Sequence, residues 1–323
     1  MLTIQKNIPL APLTTFKIGG PAKFFCAIRN EYELLEALNF AHESKLEIFM
    51  LGGGSNVLFS DKGFDGLVIK PQSSEVNEQE SANSRQGGIE IAGEAIECWA
   101  GENLSRIVNL AKENSFTGME WAIGIPGTVG GAIRGNAGAF GGEIANNIES
   151  VRALEIFGSR TNIVEYKKAD CNFSYRNSFF KETPGMIVLS AKLKAAKGEK
   201  ETIEKKMQEI IKIRTEHQPK GFSSGSFFQN PVTENQELIA GFEKDTGAKA
   251  RDGVIPAGWL IEEAGFKGKK IGGVMVSEKH ANFFINDGTG TAEDVVILAG
   301  IIKQKIREEF DTQIKEEIIY VGF

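Results

Sequence analysis

Three polar residues stand in patterns that could do chemistry. Arg176 lies in SYRNS, flanked by Phe173, Tyr175, Phe179 and Phe180. A guanidinium among aromatic rings ordinarily snorkels or stacks. Its fixed positive fork also suits a carboxylate or a developing enolate. Ser226 stands in SSGSFFQNP, a Gly-Ser turn that enters an apolar run. Such a Ser usually hydrogen-bonds local backbone. No G-x-S-x-G surrounds it, and His42, His217 and His280 are isolated, which argues against a hydrolase nucleophile. Glu317 lies in IKEEIIYV. Strand alternation puts Ile314, Glu316, Ile318 and Tyr320 on one face and Lys315, Glu317, Ile319 and Val321 on the other. A solvated edge strand would leave both acids exposed. If Glu317 is buried beside a substrate, desolvation should raise its pKa and suit it to acid catalysis.

Glycine supplies the second signal. Of 323 residues, 37 are Gly, against an average usage of about 7%. The first cluster, GGGSNVL (52–58), directly follows an apolar strand pattern, and consecutive Gly let several N–H groups converge into an anion-binding nest. The second, GIPGTVGGAIRGNAGAFGGE (124–143), repeats Gly every three or four residues among small side chains. That spacing fits backbone lying against a flat or phosphorylated ligand, or else tight turns and close packing. No G-x-G-x-x-G follows a strand and no Walker A motif is present. Two clusters in one domain point to a phosphate-bearing cofactor held outside a Rossmann frame.

The elements that must position these residues alternate between strand and helix. Strands are expected at 24–28, 47–51, 67–70, 89–92, 95–100, 151–157, 186–193 and 282–286, with a closing strand at 314–321. Asn30 with Glu33 reads as a capping box before a helix that buries Leu34, Leu35, Leu38 and Ala41. Further helices are expected at about 102–112, up to Arg214, around 258–264, and after Thr291 with Asp294 completing its cap. Residues 71–88 are nearly devoid of apolar side chains and read as an exposed loop or mobile hairpin. The charged connector 196–200 is the expected domain boundary, giving domains 1–197 and 198–323.

Hydrophobic residues make up 41% and charged residues 25%, so the chain can bury a core. The net charge of −6 argues against nonspecific nucleic-acid binding. Cys26, Cys98 and Cys171 are separated, odd in number and set in apolar runs, which fits reduced core thiols. No Cys/His spacing suggests a metal site. No signal-peptide pattern and no apolar run near the roughly 20 residues needed to cross a bilayer is present. A cytoplasmic protein without a membrane partner is expected, with a monomer the expected state.

TTFKIGGPA (14–22), GGGSNVL and GIPGTVGG…NAGAFGGE resemble the flavin-binding half of the UDP-N-acetylenolpyruvoylglucosamine reductase (MurB) family. The resemblance continues through CNFSYRNSFFK (171–181), GSFFQNP (225–231), AGWLIEEAGFKGKKIGG (257–273), VSEKHANFFIN (276–286) and the final strand. It implies an α+β fold, a vanillyl-alcohol-oxidase-like FAD-binding domain followed by a smaller α+β substrate-binding domain, with residues 314–321 returning toward the first. It implies FAD held by Gly52, Gly53, Gly54, Ser55, Asn56, Gly127, Thr128, Gly130, Asn136 and Ala137, with NADPH as co-substrate. The implied reaction reduces UDP-N-acetylglucosamine enolpyruvate to UDP-N-acetylmuramate for peptidoglycan synthesis, the UDP-sugar and NADPH sharing one cleft. Arg176 then polarises the enolpyruvyl group, Ser226 protonates a substrate carbon, and Glu317 is the catalytic acid. Lys315 replaces the first acid of the family's closing E-x-E-V-x-x-I-G segment. Asn230 and His280 match positions that contact the sugar nucleotide. His217 stands where many relatives have Lys, and Arg214, Lys267, Lys269 and Lys270 could add positive charge. Only 49 residues separate Arg176 from Ser226, too few for a Tyr-bearing lid insertion, so the chain resembles the shorter class. An oxidase of the same fold would instead reoxidise rapidly in air, and a noncatalytic nucleotide-binding module would be colourless. Val at Gly53 or Gly130 is expected to abolish flavin retention before it costs the fold.

Overall fold

The computed structural model describes residues 2–73, 88–158 and 160–323. Most of the polar 71–88 stretch therefore lies outside the described residues. The chain forms two compact units. One comprises residues 1–8, 22–53 and 65–216, and the other residues 9–21, 54–64 and 217–323.

The first unit is built on two sheets. A four-stranded sheet runs in the order Gln5–Pro9, Pro21–Ile28, Phe64–Pro71, Ile48–Met50. The last pair is parallel, Ile48 facing Leu67. Asn30 caps the Glu31–Glu43 helix by accepting from Glu33 N (2.9 Å). Glu33 returns the bond to Arg29 N rather than to Asn30 N, so the expected box closes one residue early. Leu34, Ala37 and Ala41 are the fully buried face of this helix; Leu35 and Leu38 pack at its margin.

An antiparallel five-stranded sheet has the order Arg160–Lys167, Ile148–Phe157, Met186–Lys194, Ala95–Trp99, Ile89–Ala92. The Arg160–Lys167 strand was not legible in the sequence, because its outward side chains are mostly exposed and only Val164 and Tyr166 are half-buried. Alternation divides the sheet residues between two cores. Leu154, Ile187, Leu189 and Trp99 join the helix 31–43 cluster. Ile96, Cys98, Val151, Ala153, Val188, Ala191 and Leu193 pack under the Leu104–Glu113 and Val129–Arg134 helices. All three Cys are free and buried.

The compact units divide between Glu216 and His217, not at the expected 197/198 boundary. The Lys200–His217 helix inserts Ile203 and Met207 into the first unit's core, and Ala196–Lys197 pairs with Phe116–Thr117. A charged connector in sequence is here a short strand.

The second unit packs helices Gln236–Thr246, Ala257–Glu263 and Ala292–Phe310 around the sheet Lys270–Ile271, Val274–Val276, Phe284–Asn286. Thr291 and Asp294 form the capping box read from the sequence. Asp61 adds a second cap, accepting from Ala292 N (2.9 Å) and Glu293 N (3.1 Å). Phe227 stacks on Phe284 at 4.2 Å, and Phe16, Ile18 and Leu58 complete this core. The closing strand is confined to Ile319–Val321 and pairs in parallel with Val57–Phe59. Among the described residues no helix is long and apolar enough to cross a membrane.

Candidate active site

In the first unit the two Gly clusters meet backbone to backbone. A Cβ on Gly53 would stand 2.6 Å from Gly127 Cα, and one on Gly52 would stand 2.6 Å from Thr128 Oγ1. Beside this contact is a cavity of about 310 Å³ lined by Arg29, Gly53, Lys70, Gln72, Ser73 and Thr128, among others. Lys70 donates to Gly52 O (2.8 Å), and burial pulls its pKa down. Two cationic side chains beside bare glycine backbone fit the phosphates of a dinucleotide cofactor such as FAD. The sequence did not single out Arg29, Lys70, Gln72 and Ser73: Lys70 sits inside the Phe64–Pro71 strand and the others just beyond strand ends, with no Gly to mark them.

Not every residue assigned to the cofactor is free to reach one. A Cβ on Gly130 would meet Ala100 Cβ at 2.8 Å, and Gly130 N donates to Ala100 O (2.9 Å). Val at Gly53 or Gly130 therefore collides with protein, so packing is disturbed along with any ligand contact, contrary to the expected order. Asn136 is buried and sits in the left-handed region at φ 42°. Its amide nitrogen donates to Glu143 Oε2 (3.0 Å) and Ser174 O (2.9 Å), and its oxygen accepts from Ala145 N (3.3 Å). Both of its N–H groups are thus engaged within the protein. Ala137 N donates to Ala132 O (2.8 Å), and Ala137 O accepts from Ile144 N.

Arg176 projects from a tight turn in the same unit. Ser174 and Asn177 exchange backbone hydrogen bonds at 3.1 Å, leaving Tyr175 and Arg176 at the tip, with Arg176 at φ 55°. Asn136 grips the turn through Ser174 O, and Ser178 Oγ donates to Arg134 O (2.8 Å) on its other side. The half-buried guanidinium lies 5.4 Å from the Tyr175 ring, and its Nη1 would stand 3.4 Å from a Cβ on Gly138. The bare backbone of Gly138 leaves room for it. Arg214 lies 5.1 Å over Phe140, and burial lowers its pKa as it does that of Arg134.

The second unit brings Ser226 and Glu317 onto neighbouring strands. Glu317 N donates to Phe227 O (2.8 Å) and Gln229 N to Lys315 O (2.9 Å), so 227 faces 317 and Ser226 precedes that pair. On the opposite edge Ser226 pairs with Phe283, and Phe227 N donates to Asn282 O (2.8 Å). Both acids of the closing segment are half-buried rather than exposed. They are not equivalent: Lys303 Nζ holds Glu316 through both oxygens at 2.9 and 3.1 Å. The alternation holds through Ile318 and then slips at a bend, after which Val321 is buried.

Asn230 Oδ1 accepts from Ala257 N (3.0 Å), capping the Ala257–Glu263 helix. His280 is half-buried, and its Nδ1 accepts from Asn282 N (3.2 Å). Burial pushes its pKa below the ordinary histidine value, leaving Nε2–H as the available donor. Lys267 pairs with Glu262 and Lys270 with Asp287, so these two cations serve surface ion pairs.

Glycine-bounded cavity and α+β frame define the class: residues 22–162 match the family described as an FAD binding domain. Residues 217–321 match the UDP-N-acetylenolpyruvoylglucosamine reductase, C-terminal domain. The chain is 34% identical over 323 residues to the UDP-N-acetylenolpyruvoylglucosamine reductase of Solibacter usitatus, covering 99% of this chain and 97% of that one. It is 37% identical over 317 residues to the enzyme of that name from Caldanaerobacter subterraneus subsp. tengcongensis, covering 98% and 93%. The crystal structure of UDP-N-acetylenolpyruvylglucosamine reductase (MurB) from Thermus caldophilus aligns over the whole of both chains with a TM-score of 0.74 at 28% identity. The chain belongs to the UDP-N-acetylenolpyruvoylglucosamine reductase family.

Proposed function

We propose that this protein reduces the enolpyruvyl group of UDP-N-acetylenolpyruvoylglucosamine to give UDP-N-acetylmuramate, with FAD as bound cofactor and NADPH as reductant. When bound, FAD supplies the hydride-transfer chemistry that no amino-acid side chain provides. The observation that carries the reading is that Ser226 and the half-buried Glu317 lie on neighbouring extended segments, where Phe227 O accepts from Glu317 N. A Ser hydroxyl is too weak an acid for most proton transfers and needs a carbon base of enolate strength. Arg176 presents a guanidinium fork to the substrate carboxylate and stabilises negative charge growing on its oxygens. Ser226 Oγ donates the proton to carbon, and Glu317 helps to hold the enolate-like substrate. Gly52–Ser55 with Gly127 and Thr128 would hold the cofactor phosphates, with Lys70 and Arg29 supplying positive charge. Asn230 and His280 contact the sugar nucleotide, with NADPH and the UDP-sugar using one cleft in turn.

In this reading the protein works in the cytoplasm as a monomer and supplies a precursor for the cell wall, and through it cell shape and division. The test is single-turnover reduction of the purified holoenzyme by NADPH under anaerobic conditions, followed by addition of the enolpyruvyl sugar nucleotide. Rapid substrate-driven return of the oxidised flavin spectrum is expected. Reduction by NADPH with no reoxidation on adding substrate would reject the assignment.

A further inference from the structure

We infer that the side-chain amide of Asn56 positions Glu317. This rests on the reading of Glu317 as catalytic. Asn56 ends the GGGSN run, where its neighbours suggest a phosphate nest, yet its side chain is engaged elsewhere. Asn56 Nδ2 donates to Glu317 O (3.1 Å), while Asn56 O accepts from Ile319 N (3.1 Å). One residue thus grips the closing segment on both sides of Ile318, where the chain bends.

The grip falls where the closing segment changes partners. Before the bend, Lys315–Glu317 pairs with Phe227–Gln229; after it, Ile319–Val321 pairs with Val57–Phe59. Glu317 N is taken by Phe227 O on one flank, and Glu317 O is taken by Asn56 on the other. With both backbone groups fixed, the direction of its Cα–Cβ bond is fixed as well. Ile318 is buried in the second unit's core and anchors the bend from within. Without the amide of Asn56, the carbonyl of Glu317 loses this donor and the backbone that aims its side chain is held less firmly. A displacement of about 1 Å at a catalytic group costs about 100-fold in rate.

The test uses the full-length holoenzyme carrying Asn56→Ala, Glu317→Gln, or both. Flavin content per chain, the rate of flavin reduction by NADPH, and the rate of substrate-driven reoxidation are measured separately. For Asn56→Ala we expect flavin content and NADPH reduction within about twofold of the parent and reoxidation slowed about 10- to 100-fold. In the Glu317→Gln background, Asn56→Ala should add little further loss, because what it positions is already gone. Asn56→Ser, smaller and still polar but too short to reach the carbonyl, should repeat the Asn56→Ala result. Loss of flavin in Asn56→Ala overturns the proposal in favour of a cofactor ligand. Multiplying losses in the double variant also overturn it, as does loss of the cooperative thermal transition in both Asn56 variants. Glu317→Gln reoxidising at the parental rate overturns the reading of Glu317 itself and the positioning role with it.

Discussion

Asn282 offers the sharpest test of how the Ser226 strand is held. Its side chain stands in for a missing strand: Oδ1 accepts from Phe228 N (2.9 Å) and Nδ2 donates to Phe228 O (2.8 Å). Asn282 and Phe228 are both almost fully buried, at 3% and 1% exposure, so water has no access to replace these bonds. Asn282→Ala leaves one N–H and one C=O without a partner. Each buried orphan costs about 1–3 kcal/mol, or roughly 2–6 kcal/mol together. Because the chain forms two compact units, a global unfolding midpoint would mix two events. Amide hydrogen exchange at Phe228 reads the local opening directly. Its protection should fall by about 30-fold to about 10⁴-fold, at 1.36 kcal/mol per factor of ten. Asn282→Asp supplies a control of the same size. Burial raises the pKa of the new carboxyl above its unfolded value, so between those values the folded state binds the extra proton. The protonated group regains an O–H donor for Phe228 O. The deficit of Asn282→Asp should therefore shrink as pH falls from 7 toward 5, while that of Asn282→Ala stays constant. Unchanged protection of Phe228 in Asn282→Ala, or a pH-independent deficit in Asn282→Asp, would show that the Asn282 amide does not hold this strand.

Glu120 is buried, which pushes its pKa up, but bonds from Thr117 Oγ1 (2.6 Å), its own backbone N–H and Gly118 N (2.8 Å), with Lys206 nearby, bring the net shift below the usual value. Its contribution is complete above the unfolded carboxyl pKa of about 4.3 and is lost as pH falls toward the lower folded value. Amide hydrogen exchange of the first unit's core in Glu120→Gln should show a deficit of about 1–3 kcal/mol at pH 7 that closes below about pH 4.3; a deficit equal at pH 7 and pH 3 contradicts this. Burial likewise lowers the folded pKa of His280 from 6.5. Stability should then decline as pH drops below about 6.5; an imidazole NMR titration with its midpoint at or above 6.5 would show the sign to be wrong.

Elements with a strong local signal were legible in the sequence. The Thr291–Asp294 box opens the Ala292–Phe310 helix, and periodic Leu104, Ile107, Val108 and Ala111 mark the buried face of Leu104–Glu113. The Gly-rich runs were legible as places where chain must approach chain or ligand, and Gly53 on Gly127 is such an approach. What lacked a local signal was missed. The Arg160–Lys167 strand has one solvated face and a largely polar sequence, and only its ladder to Ile148–Phe157 defines it. The Gln236–Thr246 helix went unread although Asn235 caps it through Glu237 N and Leu238 N. The boundary at Glu216 depends on Ile203 and Met207 finding a core contributed by residues a hundred positions earlier.

The same limit applies to the asparagines near the candidate site. Asparagine beside glycine looks like part of a ligand nest, because in sequence it has no other visible partner. In the fold three asparagine amides each donate to a backbone carbonyl beside a candidate catalytic residue. Asn136 donates to Ser174 O, two residues before Arg176; Asn282 to Phe228 O, two residues after Ser226; and Asn56 to the carbonyl of Glu317 itself. All three target segments are irregular: a two-residue turn, a strand held by isolated bridges, and a closing strand with a bend. Regular ladders cannot satisfy backbone groups at such places, and a buried carbonyl left alone is costly. A short side chain carrying both a donor and an acceptor replaces the missing neighbour at fixed geometry. The candidate catalytic side chain thereby stands outside regular secondary structure while its backbone stays fixed, as a preorganised site requires. That division of labour, glycine where the chain must approach and asparagine where it must be held, becomes readable only once the partners are known.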